Sequence, residues 1–431
     1  MKKYEQTLNY LFSQLPMYQR IGPKAFKKDL NNIILLTNAL DKPQTKFPSI
    51  HIAGTNGKGS TAFTIAAMFQ ANGYNTGLYT SPHYKDFRER IRVNGIYVPQ
   101  HFVIEFVETN KALFEEIKPS FFEISVAMAF SWFARKKVDI AVIETGLGGR
   151  LDSTNIVNPL LSIITNISYD HQNFLGDTLP LIAGEKAGII KPDTPVVIGE
   201  THPETKPVFE QMAQKQNAPI YFADQFVEVS QKLQTLEHTV FDVSQNGQPW
   251  FQDLKVNLHG IFQQKNLVTA LAGMSILEIY HPEFQIEKVG IQAGLEHLKQ
   301  ITQYIGRWQV LQKDPVVLCD SAHNERGLQI VTDELRKMDY GQLHCVLGFV
   351  NDKKLDKALA FFPQDARYYF AKADIPRGLD AKILQEEANK FGLKGKAYAS
   401  VKGALNAAKR AAKSEDLIFV GGSVFTVAEV V

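Results

Sequence analysis

Apolar residues recur along this chain with two alternating periods, and the places where one gives way to the other mark the elements. Tyr4, Leu8, Leu11, Phe12 and Leu15 share one helical face, and residues 24–40 form a second amphipathic segment that ends before Pro43. FPSIHIAG (47–54) predicts a fully buried strand that enters a glycine-rich turn, and STAFTIAAMFQANG (60–73) predicts a helix closed by Asn72-Gly73. VDIAVI (138–143), LLSIIT (160–165) and PVVIG (195–199) repeat the buried-strand pattern. That spacing predicts a mostly parallel α/β sheet, whose strands are covered on both faces. Between 218 and 259 polar and apolar residues alternate around an Asn246-Gly247 turn, which predicts antiparallel strands at the edge of the first domain, followed by a helix at about 264–280.

The pattern weakens around 298–306 (KQITQYIGR), which is read as a linker between a domain at 1–297 and one at 307–431. Beyond it VVLCD, HCVLGF, ARYYFA and LIFVGG alternate with helical segments at 325–338, 353–361, 380–391 and 401–413. This predicts a second, smaller α/β domain of Rossmann type. A chain of 431 residues is long enough for two such cores, with a cleft expected between them. Hydrophobic residues at 45% and charged residues at 21% argue against a disordered or membrane protein. Lys plus Arg (47) balances Asp plus Glu (45), so neither nucleic acid nor an anionic membrane is an expected partner. The opening residues contain no apolar run near 20 residues, and Cys319 and Cys345 sit in apolar runs as buried thiols; a cytoplasmic location is expected.

Candidate chemistry gathers at the strand ends. Gly54-Thr55-Asn56-Gly57-Lys58-Gly59-Ser60-Thr61 lies between a predicted strand and a predicted helix. Glycines let backbone N–H groups turn toward phosphate oxygens, the helix N-terminus favours an anion, and Lys58 supplies a point charge. Ser60 is spaced for a magnesium ion. The string departs from G-x-x-x-x-G-K-[ST], because Ile52 stands at the first glycine and Gly59 precedes Ser60. A turn with no ligand is the alternative, but Glu144, about 85 residues on at another strand end, is what a triphosphate site requires. Magnesium takes oxygen donors and retains water, which suits one carboxylate with a hydroxyl; capping of the next glycine turn is the alternative role for Glu144. His171 follows LLSIIT and is placed to face the same metal region, whereas Lys186 alone reads as a surface helix lysine.

GTNGKGST (54–61), TSPH (80–83), ETGLGGRLDSTN (144–155), ISYDHQNFLG (167–176) and EKAGIIKP (185–192), in this order and spacing, resemble the folylpolyglutamate synthase and dihydrofolate synthase family of the Mur ligase superfamily. Gly306-Arg307-Trp308, Asp320-Ser321-Ala322-His323-Asn324, Ile375-Pro376-Arg377 and Gly422-Ser423 extend the resemblance over almost the whole chain. It implies a P-loop ATPase domain, with ATP held by Gly54 through Thr61, and magnesium ligated by Ser81, Glu144 and His171. It also implies that Lys186 is carbamylated, that Asn266 contacts adenine, and that Arg307 and Asp320 meet the phosphates and the ribose. Phe122, Ser120, Asp152 and Ser153 would form the pterin pocket, and His323 and Ser423 the glutamate site. A core position on an apolar helix is an equal alternative for Phe121 and a weaker one for Phe122. Two departures stand out: Phe262-Gln263 where the family commonly has His-Gln, and Ser321 where it commonly has glycine.

The activity so implied is ATP-dependent ligation of L-glutamate to the carboxylate of dihydropteroate, of reduced folates or of both, by a monomer that catalyses with its two domains closed. A peptidoglycan-building Mur ligase is the nearest rival, although only 53 residues precede Gly54, too few for the domain those ligases carry there. A nucleotide switch would call for an N-K-x-D string, and none occurs.

Overall fold

The buried apolar runs become strands, and those flanking the glycine loop lie at the centre of a sheet. Ser49–Ala53 (β1), Thr76–Tyr79 (β2), Ile91–Val93 (β3), Ile96–Tyr97 (β4), Ile140–Glu144 (β5), Leu161–Ile164 (β6), Val196–Ile198 (β7) and Ile220–Phe222 (β8) form one sheet in the order β4-β3-β2-β5-β1-β6-β7-β8. From β2 to β8 the neighbours are parallel, and β3 and β4 add an antiparallel ribbon at one edge. This computed structural model describes residues 2–14, 29–235, 237–351 and 355–431. Two compact units result, Met1–Leu258 with Gln263–Tyr304, and His259–Phe262 with Ile305–Val431.

Alternation along β5 shows how the sheet is covered. Ile140 and Val142 point into a core shared with the helices Lys58–Ala71 and Ile261–Tyr280, while Ala141 and Ile143 point into a second core built on the helix Phe121–Lys136. Ser120 and Glu123 form a capping box that starts this last helix. The alternating stretch after residue 218 folds differently from expectation. Its first strand, β8, extends the main sheet in parallel, and Val227–Gln234 (β9), Thr239–Gln245 (β10) and Gln248–Val256 (β11) make a separate antiparallel sheet in the order β11-β10-β9. One face of it, with Val229, Phe241, Val243 and Leu254, closes over the first core.

Asn246-Gly247 turns between β10 and β11 with φ of +50° and +74°. Asn94-Gly95 repeats that turn between β3 and β4, with φ of +50° and +72°. The second turn leaves little periodic signal in the sequence, because its strands are only three and two residues long.

In the other unit Gln309–Lys313 (β12), Val316–Asp320 (β13), Leu343–Leu347 (β14), Arg367–Ala371 (β15), Gly395–Tyr398 (β16) and Leu417–Gly421 (β17) form a sheet in the order β12-β13-β17-β14-β15-β16, parallel except for β12. Four of these strands follow the buried runs in the sequence; β12 and β16, half-exposed at the two edges, lack that signature. Cys319 and Cys345 are buried thiols. The N-terminal helices run Lys2–Gln14 and Asn31–Ala39; Leu15 and residues 24–28 lie outside the described residues, as do 353 and 354 ahead of the helix Leu355–Leu359. The segment read as a linker begins with a short helix, Leu298–Thr302.

The helix Lys288–Glu296 crosses the helix Lys58–Ala71 at backbone contact. A Cβ on Gly294 would stand 2.7 Å from the Ala67 carbonyl oxygen and 2.9 Å from Met68 Cα, whereas a Cβ on Gly184, in the helix Leu179–Ala187, would meet no atom within 4 Å. Alanine gains about 1 kcal/mol over glycine in a helix, and overpacking costs about 1–3 kcal/mol. Gly184→Ala is therefore expected to raise the thermal unfolding midpoint and Gly294→Ala to lower it. Shifts in the same direction would contradict the backbone crossing.

Candidate functional site

The glycine loop leaves β1 at the centre of the sheet, where the chain order reverses and open α/β sheets bind ligands. Gly54 has φ of +148° and a Cβ there would lie 1.9 Å from Thr165 Oγ1; Gly57 has φ of +83° and its Cβ would lie 2.1 Å from Asn266 Oδ1. Only glycine satisfies both conditions at either place. The loop is stitched to the chain that follows β6. Thr55 N donates to Asn166 O (2.9 Å), Asn56 N to Asn166 Oδ1 (3.1 Å), and Thr165 Oγ1 and Asn166 Nδ2 both donate to Asn56 O, at 2.6 and 3.0 Å. Thr55 Oγ1 donates to Ser168 O and accepts from Ser168 N. The amides of Lys58, Gly59 and Ser60 are the first of the helix Lys58–Ala71 and have no acceptor within it, which leaves three donors and a helix dipole for an anion. Among the described residues the fully buried Thr61 hydroxyl has no hydrogen-bond partner.

Two amines converge on this loop. Lys58 Nζ donates to the carbonyls of Gly54 (3.0 Å) and Thr55 (3.2 Å), and Lys186 Nζ donates to the same Gly54 oxygen at 2.7 Å. Lys186 is 3% exposed, which overturns its reading as a surface lysine. It shares the buried stripe of its helix with Ile182, Ala183 and Ala187. Burial, reinforced by the charge on Lys58, pushes its amine down to about 7, against the opposing pull of Asp170 and Asp152.

Glu144 ends β5 buried, and its Oε2 accepts the amide of Ser81 at 2.9 Å. A Cβ on Gly59 would stand 3.6 Å from both carboxylate oxygens, so Gly59 and Ser81 are brought to the carboxylate. Ser60 turns elsewhere: its Oγ is 2.8 Å from Tyr304 OH and within 3.4 Å of Gln263 Nε2. His171 begins the short helix Gln172–Leu175 with φ of +49°, and its imidazole lies 3.8 Å from Asp170. Among the described residues no three His, Cys, Asp or Glu side chains converge on one point. A single carboxylate with a neighbouring serine is nonetheless a donor set suited to magnesium, which keeps most of its water.

The ETGLGGRLDSTN loop packs on the helix that carries Lys186. Arg150 N donates to Glu185 O, and Asn155 Nδ2 donates to the carbonyls of Arg150 and Gly188. Asp152, buried and held above the usual carboxylate range by that burial, accepts from Leu147 N (2.7 Å), Thr154 N (3.0 Å) and Thr154 Oγ1 (2.5 Å). Thr154 Oγ1 is also 2.8 Å from Nε2 of the buried His51. Phe122 lies against Gly146, where a Cβ would meet its ring at 2.4 Å, while Phe121 belongs to the core, under the guanidinium of Arg90. Ser120 caps its helix, and Ser153 opens the 3-10 turn after Asp152. Asn266 donates to Gln263 Oε1 (2.9 Å) beside Gly57.

In the second unit the polar side chains gather at the C-terminal ends of β13 and β17. Asp320 is buried and accepts the amides of Trp308 (2.8 Å) and Ala322 (2.7 Å); burial raises its carboxyl, and Arg307, 3.8 Å away, opposes the rise. His323 Nδ1 is 3.1 Å from Ser321 O. Ser423 caps the helix Val424–Ala428, and its hydroxyl pairs with Thr426, which donates to Gly348 O. Sequence reasoning missed Thr165, Asn166 and Ser168, which brace the loop, and Tyr304. Polar residues directly after the apolar run 160–164 were a usable signal for the first group; Tyr304, 244 residues from Ser60, carried none.

Residues 52–274 match the Mur ligase middle domain and residues 306–424 the Mur ligase glutamate ligase domain. A dihydrofolate synthase/folylpolyglutamate synthase of Bacillus subtilis is 34% identical over 374 residues, 84% of this chain and 84% of its own length. A probable bifunctional folylpolyglutamate synthase/dihydropteroate synthase of Haloferax volcanii is 32% identical over 99% of this chain, which spans only 50% of that relative's length. The solved folylpolyglutamate synthase of Mycobacterium tuberculosis, complexed with ADP, superposes with a TM-score of 0.88 at 31% identity, covering 99% of this chain and 97% of its own. Matched by both domains and by relatives along almost its full length, this chain belongs to the folylpolyglutamate synthase/dihydrofolate synthase family of Mur ligases.

Proposed function

We propose that this chain is an ATP-dependent ligase that joins L-glutamate to the carboxylate of dihydropteroate, of tetrahydrofolate, or of both. The observation that carries the reading is the pair of lysines on the Gly54 carbonyl, in a loop with three helix amides to offer and a buried carboxylate beside Gly59. Such a set is built for a polyphosphate and its cation. The ADP complex of the Mycobacterium tuberculosis relative supports nucleotide binding here. The peptidoglycan-type ligase and the nucleotide switch have no comparable observation in their favour. The protein acts as a cytoplasmic monomer on small molecules; among the described residues no helix is long and apolar enough to cross a membrane.

The substrate carboxylate attacks the γ-phosphorus of ATP, ADP leaves, and an acyl phosphate forms. The amine of glutamate then attacks the acyl carbon, phosphate departs, and the amine gives up a proton. Lys58 and the amides of residues 58–60 hold the phosphates, and Arg307 is a further cation for them. Ser81, Glu144 and His171 would hold magnesium, which offsets charge on the phosphate oxygens. Lys186 is suited to carbamylation: carbon dioxide adds to a neutral amine with release of a proton, and an amine shifted to about 7 is substantially neutral at physiological pH. The product carries a negative charge, which also removes the repulsion from Lys58. Asn266 contacts adenine and Asp320 the ribose. Phe122, Ser120, Asp152 and Ser153 receive the pterin, and His323 and Ser423 the glutamate.

Magnesium-dependent phosphate release from ATP is expected with glutamate plus dihydropteroate as well as with glutamate plus tetrahydrofolate. Release with tetrahydrofolate alone would remove the first activity and leave the second. Lys186→Ala is expected to lower turnover by about a hundredfold or more, with partial recovery on adding formate or acetate. Because the carbamate needs the uncharged amine, wild-type turnover at limiting carbon dioxide should climb as pH rises through about 7, and the acid-rescued variant should lack that limb. A variant as fast as the wild type would overturn the carbamate role.

A further inference from the structure

We propose that Tyr304 is a positioning residue of the nucleotide loop, acting through the hydroxyl of Ser60, and that Ser60 shapes the loop instead of ligating a cation. The inference rests on the reading of residues 54–61 as a nucleotide site. Four side chains form a buried network: Ser60 Oγ and Tyr304 OH are 2.8 Å apart, Gln263 Nε2 reaches them at 3.4 and 3.3 Å, and Asn266 Nδ2 donates to Gln263 Oε1 at 2.9 Å. All four are nine-tenths or more buried.

The donor count fixes the sense of the bonds at Gln263. Because Asn266 donates to Gln263 Oε1, the amide nitrogen of Gln263 must point at the two hydroxyls, and each accepts from it. One hydroxyl then donates to the other. The Ser60 oxygen thus bonds to partners on the side of Tyr304, while the neighbouring position whose Cβ direction faces Glu144 is Gly59. Successive helical residues diverge by about 100°, so residues 59 and 60 serve different sides of the helix.

The network meets the loop at two points: it bonds Ser60 through its hydroxyl, and Asn266 Oδ1 fills the space that a Cβ on Gly57 would take. Those two residues bracket the amides of Lys58 and Gly59, and Ser60 carries the third amide offered to phosphate. The Tyr304 ring is held separately, packed edge-on against Phe63 at 4.9 Å, with Arg92 lying over Phe63 at 4.9 Å. Removing the hydroxyl alone therefore leaves the ring seated and the loop unpinned.

The test measures ADP affinity of the full chain by calorimetry, in EDTA and again in magnesium, for the wild type, Tyr304→Phe, Ser60→Ala and the double variant. Each single change is expected to weaken magnesium-free ADP binding about tenfold, the worth of one such hydrogen bond. The double variant should lose no more than the worse single one, and the magnesium concentration for half-maximal turnover should not move. In Tyr304→Phe the KM for ATP should rise while the KM for glutamate does not. Unchanged ADP affinity in Tyr304→Phe, losses that multiply in the double variant, or a loss in Ser60→Ala confined to magnesium would each overturn the proposal. A wild type that binds no ADP would instead reject the nucleotide reading, and this inference with it.

Discussion

Two lysine amines share one backbone carbonyl, and the rest of the first unit is organised around the consequences. Lys58 and Lys186 stand 3.0 and 2.7 Å from the oxygen of Gly54. Two unit charges about 5 Å apart repel by about 3 kcal/mol at an effective dielectric near 20. A protein can relieve that repulsion by keeping one amine neutral or by placing negative charge between the two. The burial of Lys186 favours the first, and the proposed polyphosphate would supply the second. Under that proposal the same arrangement has a resting form and a loaded form that differ in where positive charge is satisfied.

That convergence depends on the sheet. Gly54 follows β1, and the strands on either side of β1 bring Glu144 at the end of β5 and the Thr165–Ser168 segment after β6 to the same edge. The left-handed loop conformation persists because Asn166 and Ser168 satisfy its polar groups, while the amides at the start of the helix remain for a ligand. The second unit repeats the principle on a smaller sheet, where Asp320, anchored by two amides, sits 3.8 Å from Arg307.

What the sequence disclosed followed from how local each signal was. The glycine loop, the carboxylate at the end of β5 and the parallel strands were legible because each is written in a short run of residues. The Asn94-Gly95 hairpin was equally local, yet its strands of two or three residues gave no alternation to notice. Taken alone, Lys186 reads as a surface residue, yet it stands three and four places after Ala183 and Ile182 on the apolar stripe of its helix; the stripe outweighs the charge. The turn of Ser60 toward Tyr304 could not be read at all, because the partner is 244 residues away and is chosen by the packing of three helices.

The most direct test of the two-lysine site is a crystal structure of this protein with ADP and magnesium. The account predicts that the β-phosphate accepts from the amides of Lys58, Gly59 and Ser60, and that Lys58 Nζ leaves the Gly54 carbonyl to meet it. Nucleotide bound away from this loop, or a Lys58 amine still on Gly54 beside a bound phosphate, would contradict it.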